Sequence, residues 1–188
     1  LVIGLTICAM GTSLPEAAVS LVAGLKGNSG ITIGNVVGSN ILNILIVLGM
    51  SALITKIRIE KSTLFIEIPY MLLSSLVLLV MGKSQQVVSF QEGLILIGMF
   101  IIYLLAFGTS LPELVTSLQA ARKDHVGIAI GNIVGSNIFN ILFIAGGVSL
   151  ICPVPFESKF IVDMFVAIGS GCLLWLLTIY RHELNRIG

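Results

Sequence analysis

Two carboxylates stand where carboxylates are costly. Glu16 and Glu113 each lie deep inside a long apolar run, and no Lys or Arg falls within any such run to pair with either one. A charged side chain at the centre of a bilayer costs at least ~2.5 kcal/mol on insertion scales, so acids persist there when they face a wet cavity, bind a cation or carry a proton. The missing partner is most simply a mobile cation or a proton. Pro15 and Pro112 come immediately before the two acids. A proline lacks an N–H and clashes with the carbonyl four residues back, which frees a backbone acceptor one turn up. Those carbonyls belong to Gly11 and Gly108, and those of Ala9, Thr12, Ala106 and Thr109 lie close by. Ser13 and Ser110 add hydroxyls beside them. Carboxylates, carbonyls and hydroxyls are hard oxygen donors of the kind that suit Ca²⁺, and Na⁺ likewise. No His or Cys is near enough to favour zinc or copper.

More oxygen donors follow at fixed spacing. Ser39 and Asn43 are four residues apart, hence on one helix face, and Ser136 and Asn140 repeat the arrangement. Each Asn offers an amide oxygen. An amide in a membrane helix otherwise serves as an interhelical hydrogen bond, and for Asn35, Asn40, Asn132 and Asn137 both readings stay open. Glu67 and Asp163 fall in the first turns of their segments, where the helix N-terminus favours negative charge, and read as interface residues. Gly11-Thr12-Ser13 and its copy superficially suggest a nucleophilic serine. A serine needs a base to activate it, and neither His nor Lys lies at depth. The chain is therefore read as a non-enzyme with no resident cofactor.

The elements that must position these groups are membrane helices. Of 188 residues, 56% are hydrophobic and 10% charged, against roughly 25% charged in soluble domains. A membrane helix needs about 20 mostly apolar residues, and six runs fit: 1–25, 31–55, 62–82, 90–121, 126–151 and 160–180. The fourth would be about 48 Å long as a straight helix, against a ~30 Å hydrocarbon core. It must tilt, kink or break, and Pro112, one turn after Gly108, is the natural place. Lys26, Lys83 and Lys159 fall on one side of the membrane. Lys56, Arg58, Lys61, Arg122, Lys123, Arg181 and Arg186 fall on the other, which the positive-inside rule makes cytoplasmic. A net charge of +1 argues against nucleic acid as a partner. Cys8, Cys152 and Cys172 are widely separated and read as small core residues. Both ends read as truncated, since the chain opens at Leu1 inside an apolar run.

The chain also repeats itself. Residues 11–49 align without a gap on 108–146, with 24 of 39 positions identical. Three segments separate the copies, so they face opposite ways across the membrane. Inverted repeats with Gly/Pro-interrupted helices point to a secondary transporter whose site lies near the midplane between them. Gly34 with Gly38, and Gly131 with Gly135, form GxxxG pairs that serve helix packing, but packing alone does not account for the acids.

Gly11-Thr12-Ser13-Leu14-Pro15-Glu16 with its copy at 108–113, and Gly34-Asn35-Val36-Val37-Gly38-Ser39-Asn40-Ile41-Leu42-Asn43 with its copy at 131–140, carry a specific likeness. The chain resembles the cation/calcium exchanger superfamily, most closely the prokaryotic sodium/calcium antiporters, whose two α-repeats these motifs match. The resemblance implies an all-α membrane protein of about six helices here, and an exchanger-like core in which two long tilted helices slide against four site-bearing ones. It implies electrogenic antiport of Na⁺ against Ca²⁺ by alternating access in a prokaryotic inner membrane. Glu16 and Glu113 would be the acids shared by both ions. Thr12 and Thr109 would give carbonyls to Ca²⁺, and Ala9 and Ala106 carbonyls to Na⁺. Ser13, Ser110, Ser39 and Ser136 would complete the Na⁺ sites, with Asn43 and Asn140 as polar ligands. The partners so implied are Ca²⁺, Na⁺ and the lipid bilayer. As regions, 1–55 and 94–151 would be the first and second α-repeats of one transmembrane domain, 1–188.

Two departures from the family pattern bear on function. Some relatives carry Asp at the position of Asn140, so this site has two formal negative charges rather than three. The chain also reads as short against the family pattern: the first and last helices are absent and a loop and the sixth helix are missing around Leu104–Ala106, which removes both long sliding helices. Ca²⁺/H⁺ exchange, and an ion-binding core that does not transport and associates with itself or with further helices, are the alternatives to Na⁺/Ca²⁺ antiport.

Overall fold

A computed structural model describes residues 10–108, 127–179 and 183–184, with 107, 108 and 127–129 as backbone only. Of the residues singled out above, Cys8, Ala9, Thr109, Ser110, Pro112, Glu113, Arg122, Lys123, Arg181 and Arg186 lie outside the described residues.

Among the described residues, six helices follow a helical end at Met10–Thr12. They are α1 (Leu14–Leu25), α2 (Gly30–Ile54), α3 (Thr63–Gln85), α4 (Phe90–Gly108), α5 (Gly127–Phe139, continuing through Asn140–Ala145 to Gly146–Ile151) and α6 (Lys159–Ile179). The architecture is all-α, as the apolar runs dictate. Among the described residues four helices are long and apolar enough to cross a bilayer: α2, α3, α5 from Ile130, and α6. Helices α1 and α4 have shorter apolar stretches, Leu14–Leu25 and Phe90–Ala106. Each adjoins residues outside the description, which hold the remainder of the first and fourth expected segments.

Four two-residue strands were not foreseen. Ile57–Arg58 (β1) pairs antiparallel with Glu183–Leu184 (β4), and Val87–Val88 (β2) with Val154–Pro155 (β3). They tie loops rather than build a sheet. They also fix sidedness, because each pair joins connections that the charge count assigned to one side. Lys56 and Arg58 reach Glu183 at the first pair. On the opposite side Ser29 Oγ donates to the Pro153 carbonyl at 2.8 Å. The helices therefore alternate in direction, and α2 and α5 run opposite ways.

Helix α5 is the centre. Of its apolar window 83% is buried, against 28% for α2 and 33% for α6, so the outer helices turn apolar faces outward. Leu45, Ile46, Phe65, Ile66, Val80 and Phe165 are exposed; in a bilayer such faces meet lipid tails. Helix α4 packs along the later half of α5, α1 against α2 and α5, and α6 against α2 and α3. The α4–α5 contact requires glycine. A Cβ on Gly93 would meet the Gly146 carbonyl at 2.9 Å and collide with Ser149 Oγ, and a Cβ on Gly146 would meet Leu96 Cβ at 2.9 Å. Aromatic rings fill the rest: Phe100 lies edge-on to Phe139, and Tyr70 stacks on Tyr103 while its hydroxyl donates to the Met99 carbonyl at 2.7 Å.

Glu67 is 3% exposed and lies in a wide π turn over Thr63–Glu67 that the sequence does not mark. The Leu64 carbonyl in that turn accepts a bond from Trp175 Nε1 at 3.0 Å. Cys152 and Cys172 are half-buried rather than in the core.

Candidate functional site

The first motif breaks its helix. Met10–Thr12 is helical, Ser13 is a turn residue, and α1 begins afresh at Leu14 with Pro15 in its first turn. Proline suits that position because the first N–H groups of a helix have no intrahelical acceptor. Ser13 is buried and its carbonyl accepts from the Ala17 amide at 3.0 Å. The break puts Glu16 in the first turn of α1, where the positive end of the helix dipole favours a carboxylate.

Helix α2 holds that acid from the side. Ser39 Oγ donates to Glu16 Oε1 at 2.9 Å. Asn35 Nδ2 donates to the Glu16 backbone carbonyl at 3.0 Å and to Ser20 Oγ at 2.9 Å. Asn35 thus pins the start of α1 to α2, which resolves one of the four open asparagines as an interhelical hydrogen bond. Glu16 Oε2 is buried and has no hydrogen-bond partner. A buried carboxylate oxygen with nothing to accept from is expensive.

The second repeat meets the first here. Thr12 Oγ1 and Ser136 Oγ are 3.0 Å apart, so the break before α1 touches α5. Where α2 crosses α5, four amides bond across the repeats. Asn40 Nδ2 donates to the Asn137 carbonyl at 3.2 Å and Asn137 Nδ2 to the Asn40 carbonyl at 3.3 Å. Asn43 Nδ2 donates to Asn137 Oδ1 at 2.9 Å, and Asn140 Nδ2 to Asn40 Oδ1 at 3.0 Å. Asn140 is fully buried and its Oδ1, like Glu16 Oε2, has no partner.

Both crossing helices widen at matching points. A π turn runs over Asn43–Leu48 in α2 and over Asn140–Ala145 in α5, and α-helix resumes at Gly49 and at Gly146. Each pair is offset by the repeat spacing of 97. Single-turn π bulges occur frequently at functional sites.

Of the twelve predicted site residues, the structure draws Thr12, Glu16, Ser39, Asn43, Ser136 and Asn140 into this one hydrogen-bonded neighbourhood. Ser13 is buried beside them, and Ala106 is exposed near the end of α4. An open cleft of about 620 Å³ reaches Asn35 from the side that carries Lys159, past Asn28, Gly34 and Glu157. Among the described residues no group of three or more His, Cys, Asp or Glu comes together, so the donors assembled are hydroxyl and amide oxygens around one carboxylate.

Comparison with known proteins accords with this geometry. The sodium/calcium exchanger protein family matches residues 1–105 and again 102–187. The chain belongs to the sodium/calcium exchanger family. It is an integral membrane transporter of the cation/calcium exchanger superfamily, not an enzyme. An uncharacterized membrane protein of Methanocaldococcus jannaschii, MJ0091, is 31% identical over 241 residues, covering 95% of this chain and 79% of its own. The sodium/calcium exchanger MaX1 of Methanosarcina acetivorans is 39% identical over 103 residues, covering 55% of this chain and 29% of its own. Among solved structures, the sodium-calcium exchanger NCX_Mj soaked with Na⁺ and Sr²⁺ superposes with a TM-score of 0.78 at 30% identity, over 99% of this chain and 81% of that one. The two family matches meet at 102–105, within α4, where the sequence placed a missing segment. The alignment to MJ0091 is longer than this chain of 188 residues, so that relative carries residues without counterpart here.

Proposed function

We propose that this exchanger carries Ca²⁺ and Na⁺ alternately at the oxygen cluster between α1, α2 and α5. Glu16 is the described carboxylate of the site, and Glu113 is its repeat-related counterpart. Thr12, Ser13, Ser39, Ser136, Asn43 and Asn140 supply neutral oxygens. Ala9, Ala106, Thr109 and Ser110 complete the set by analogy between the repeats. The observation that carries this reading is that, of four buried side-chain polar atoms without a partner among the described residues, the two on expected ligands are Glu16 Oε2 and Asn140 Oδ1, one from each repeat.

The chemistry follows from charge and hydration. Two carboxylates balance one Ca²⁺, and the hydroxyl, amide and carbonyl oxygens replace its water shell. Na⁺ ions draw on the same acids at lower charge density, so occupancy by one ion disfavours the other, which is the requirement for exchange. Ser39, which donates to Glu16 Oε1 at 2.9 Å, holds the carboxylate oriented while Oε2 stays available. The family membership and the names of MaX1 and NCX_Mj support Na⁺ and Ca²⁺ as the ions. Asn140 gives a specific reason to keep proton coupling as a second reading, because a site with only two acids can be neutralised by two protons. Purified chain in Na⁺-loaded liposomes tests the choice. Ca²⁺ uptake driven by outward Na⁺ supports the proposal, and uptake indifferent to Na⁺ but driven by a pH gradient selects Ca²⁺/H⁺ exchange.

A further inference from the structure

The asparagines left open by the sequence are organised in a way that the ion ligands alone do not require. Asn40 and Asn137 are 3% and 0% exposed, and each uses both ends of its amide on the opposite repeat. The nitrogen of each donates to the other's backbone carbonyl, at 3.2 and 3.3 Å. The oxygen of each accepts from the ligand-position asparagine of the other repeat, Asn140 for Asn40 and Asn43 for Asn137, at 3.0 and 2.9 Å. The arrangement is two-fold symmetric, as the nearly identical repeat sequences around it allow, apart from a further contact of Asn137 Nδ2 to Met71 Sδ at 3.6 Å. It sits directly before both π turns. The Asn40 carbonyl also accepts from the Asn43 backbone amide within α2, so the side-chain bond from Asn137 adds to the helix ladder rather than replacing it.

We propose that Asn40 and Asn137 are positioning residues that aim the ion-facing oxygens of Asn140 and Asn43. The inference rests on the exchanger site proposed above. A side-chain amide carries its two donors on nitrogen and its acceptor on oxygen, on opposite sides of one carbon. Once Nδ2 of Asn43 and of Asn140 is committed to the clasp, each Oδ1 must face away from it. For Asn140 that leaves Oδ1 buried and without a partner, the state of a ligand prepared for a cation. Without the clasp the amide could turn and present N–H groups, which repel a cation. Because each ligand is held by the other repeat, the two halves of the site are set together rather than independently. Groups that orient metal ligands typically change affinity about 10–100-fold when removed.

The test is a double-mutant cycle on Ca²⁺ binding by the full chain in detergent, repeated on both symmetric pairs. Asn137→Ala is expected to weaken Ca²⁺ binding roughly tenfold in the native background and by less than about twofold in an Asn43→Ala background, since residues that act through one another are not additive. Asn40→Ala with Asn140→Ala is expected to behave in the same way. Equal losses in both backgrounds, or no loss, overturn the proposal, because a merely structural contribution adds. Exchange of the Asn43 side-chain amide protons, followed by NMR with ¹⁵N-labelled asparagine, reads the clasp without any ion. Protection should persist in Asn137→Asp, which keeps the acceptor, and vanish in Asn137→Ala. Unprotected protons in the parent chain overturn the clasp. A parent chain that fails to bind Ca²⁺ while these protons are protected overturns the exchanger-site reading and leaves the clasp standing.

Discussion

Glu16 is held at three points: by its place in the first turn of α1, by Ser39 on one carboxylate oxygen, and by Asn35 on its backbone carbonyl. Replacing it with Gln keeps the shape and the acceptor for Ser39 but removes the charge. Glu16→Gln is expected to lower Ca²⁺ affinity by at least about a hundredfold while the melting temperature shifts little, because a buried charge without a partner was itself costly. Calorimetric titration beside thermal unfolding checks both halves. Ser39→Ala should act more mildly, about tenfold or less, since it removes one charge-assisted bond of roughly 1.5–3 kcal/mol in a site that keeps its acid. Asn140→Asp tests the charge count. A third carboxylate is expected to tighten Ca²⁺ binding at alkaline pH and make it fall more steeply than in the parent as pH drops, because ligands must be deprotonated to bind. A pH series of Ca²⁺ titrations on both proteins decides it. At this scale the sequence was most informative about acids. Glu16 in its apolar run, and Ser39, Asn43, Ser136 and Asn140 at equal spacing in the two repeats, are residues that the helices do bring into one hydrogen-bonded neighbourhood. Asn40 and Asn137 could not be assigned in that way, because whether an amide faces a ligand or a neighbouring helix depends on the crossing of α2 and α5, which one-dimensional spacing does not contain.

The helices themselves were legible because long apolar runs bounded by Lys and Arg have few other solutions in a bilayer. The strand pairs β1–β4 and β2–β3 each tie together loops that the charge count grouped on one side. What escaped the reading were features decided by tertiary contact. The π turns at Asn43–Leu48 and Asn140–Ala145 sit in apolar stretches with no sequence mark except their recurrence at the repeat spacing. The burial of Glu67 had no sequence mark either, because a place in the first turn does not say which neighbours pack over it. The Gly93–Gly146 contact was equally hidden, since a glycine in a membrane helix does not announce its neighbour. Gly93→Ala brings a methyl against the Gly146 carbonyl and Ser149. It is expected to destabilise the chain by about 1–3 kcal/mol through overpacking, read as a lower melting temperature. Gly98→Ala, with open space around the added Cβ, serves as the neutral control in the same helix.

At the scale of the molecule, two opposed repeats cross at one polar point inside an otherwise apolar bundle. The α2–α5 crossing brings buried amides, hydroxyls and a carboxylate together, while the outer faces of α2, α3 and α6 are apolar and exposed. Helix α4 runs unbroken through 102–105, where the two family matches meet, and packs on α5. The central claim is that this assembly exchanges Ca²⁺ for Na⁺. The measurement that tests it most directly is ⁴⁵Ca²⁺ uptake into liposomes containing the purified chain, loaded with Na⁺ and diluted into Na⁺-free buffer, beside Glu16→Gln. Uptake that depends on the outward Na⁺ gradient and disappears in the variant is the predicted result. Absence of uptake by folded chain that still binds Ca²⁺, or uptake unchanged in Glu16→Gln, would contradict it.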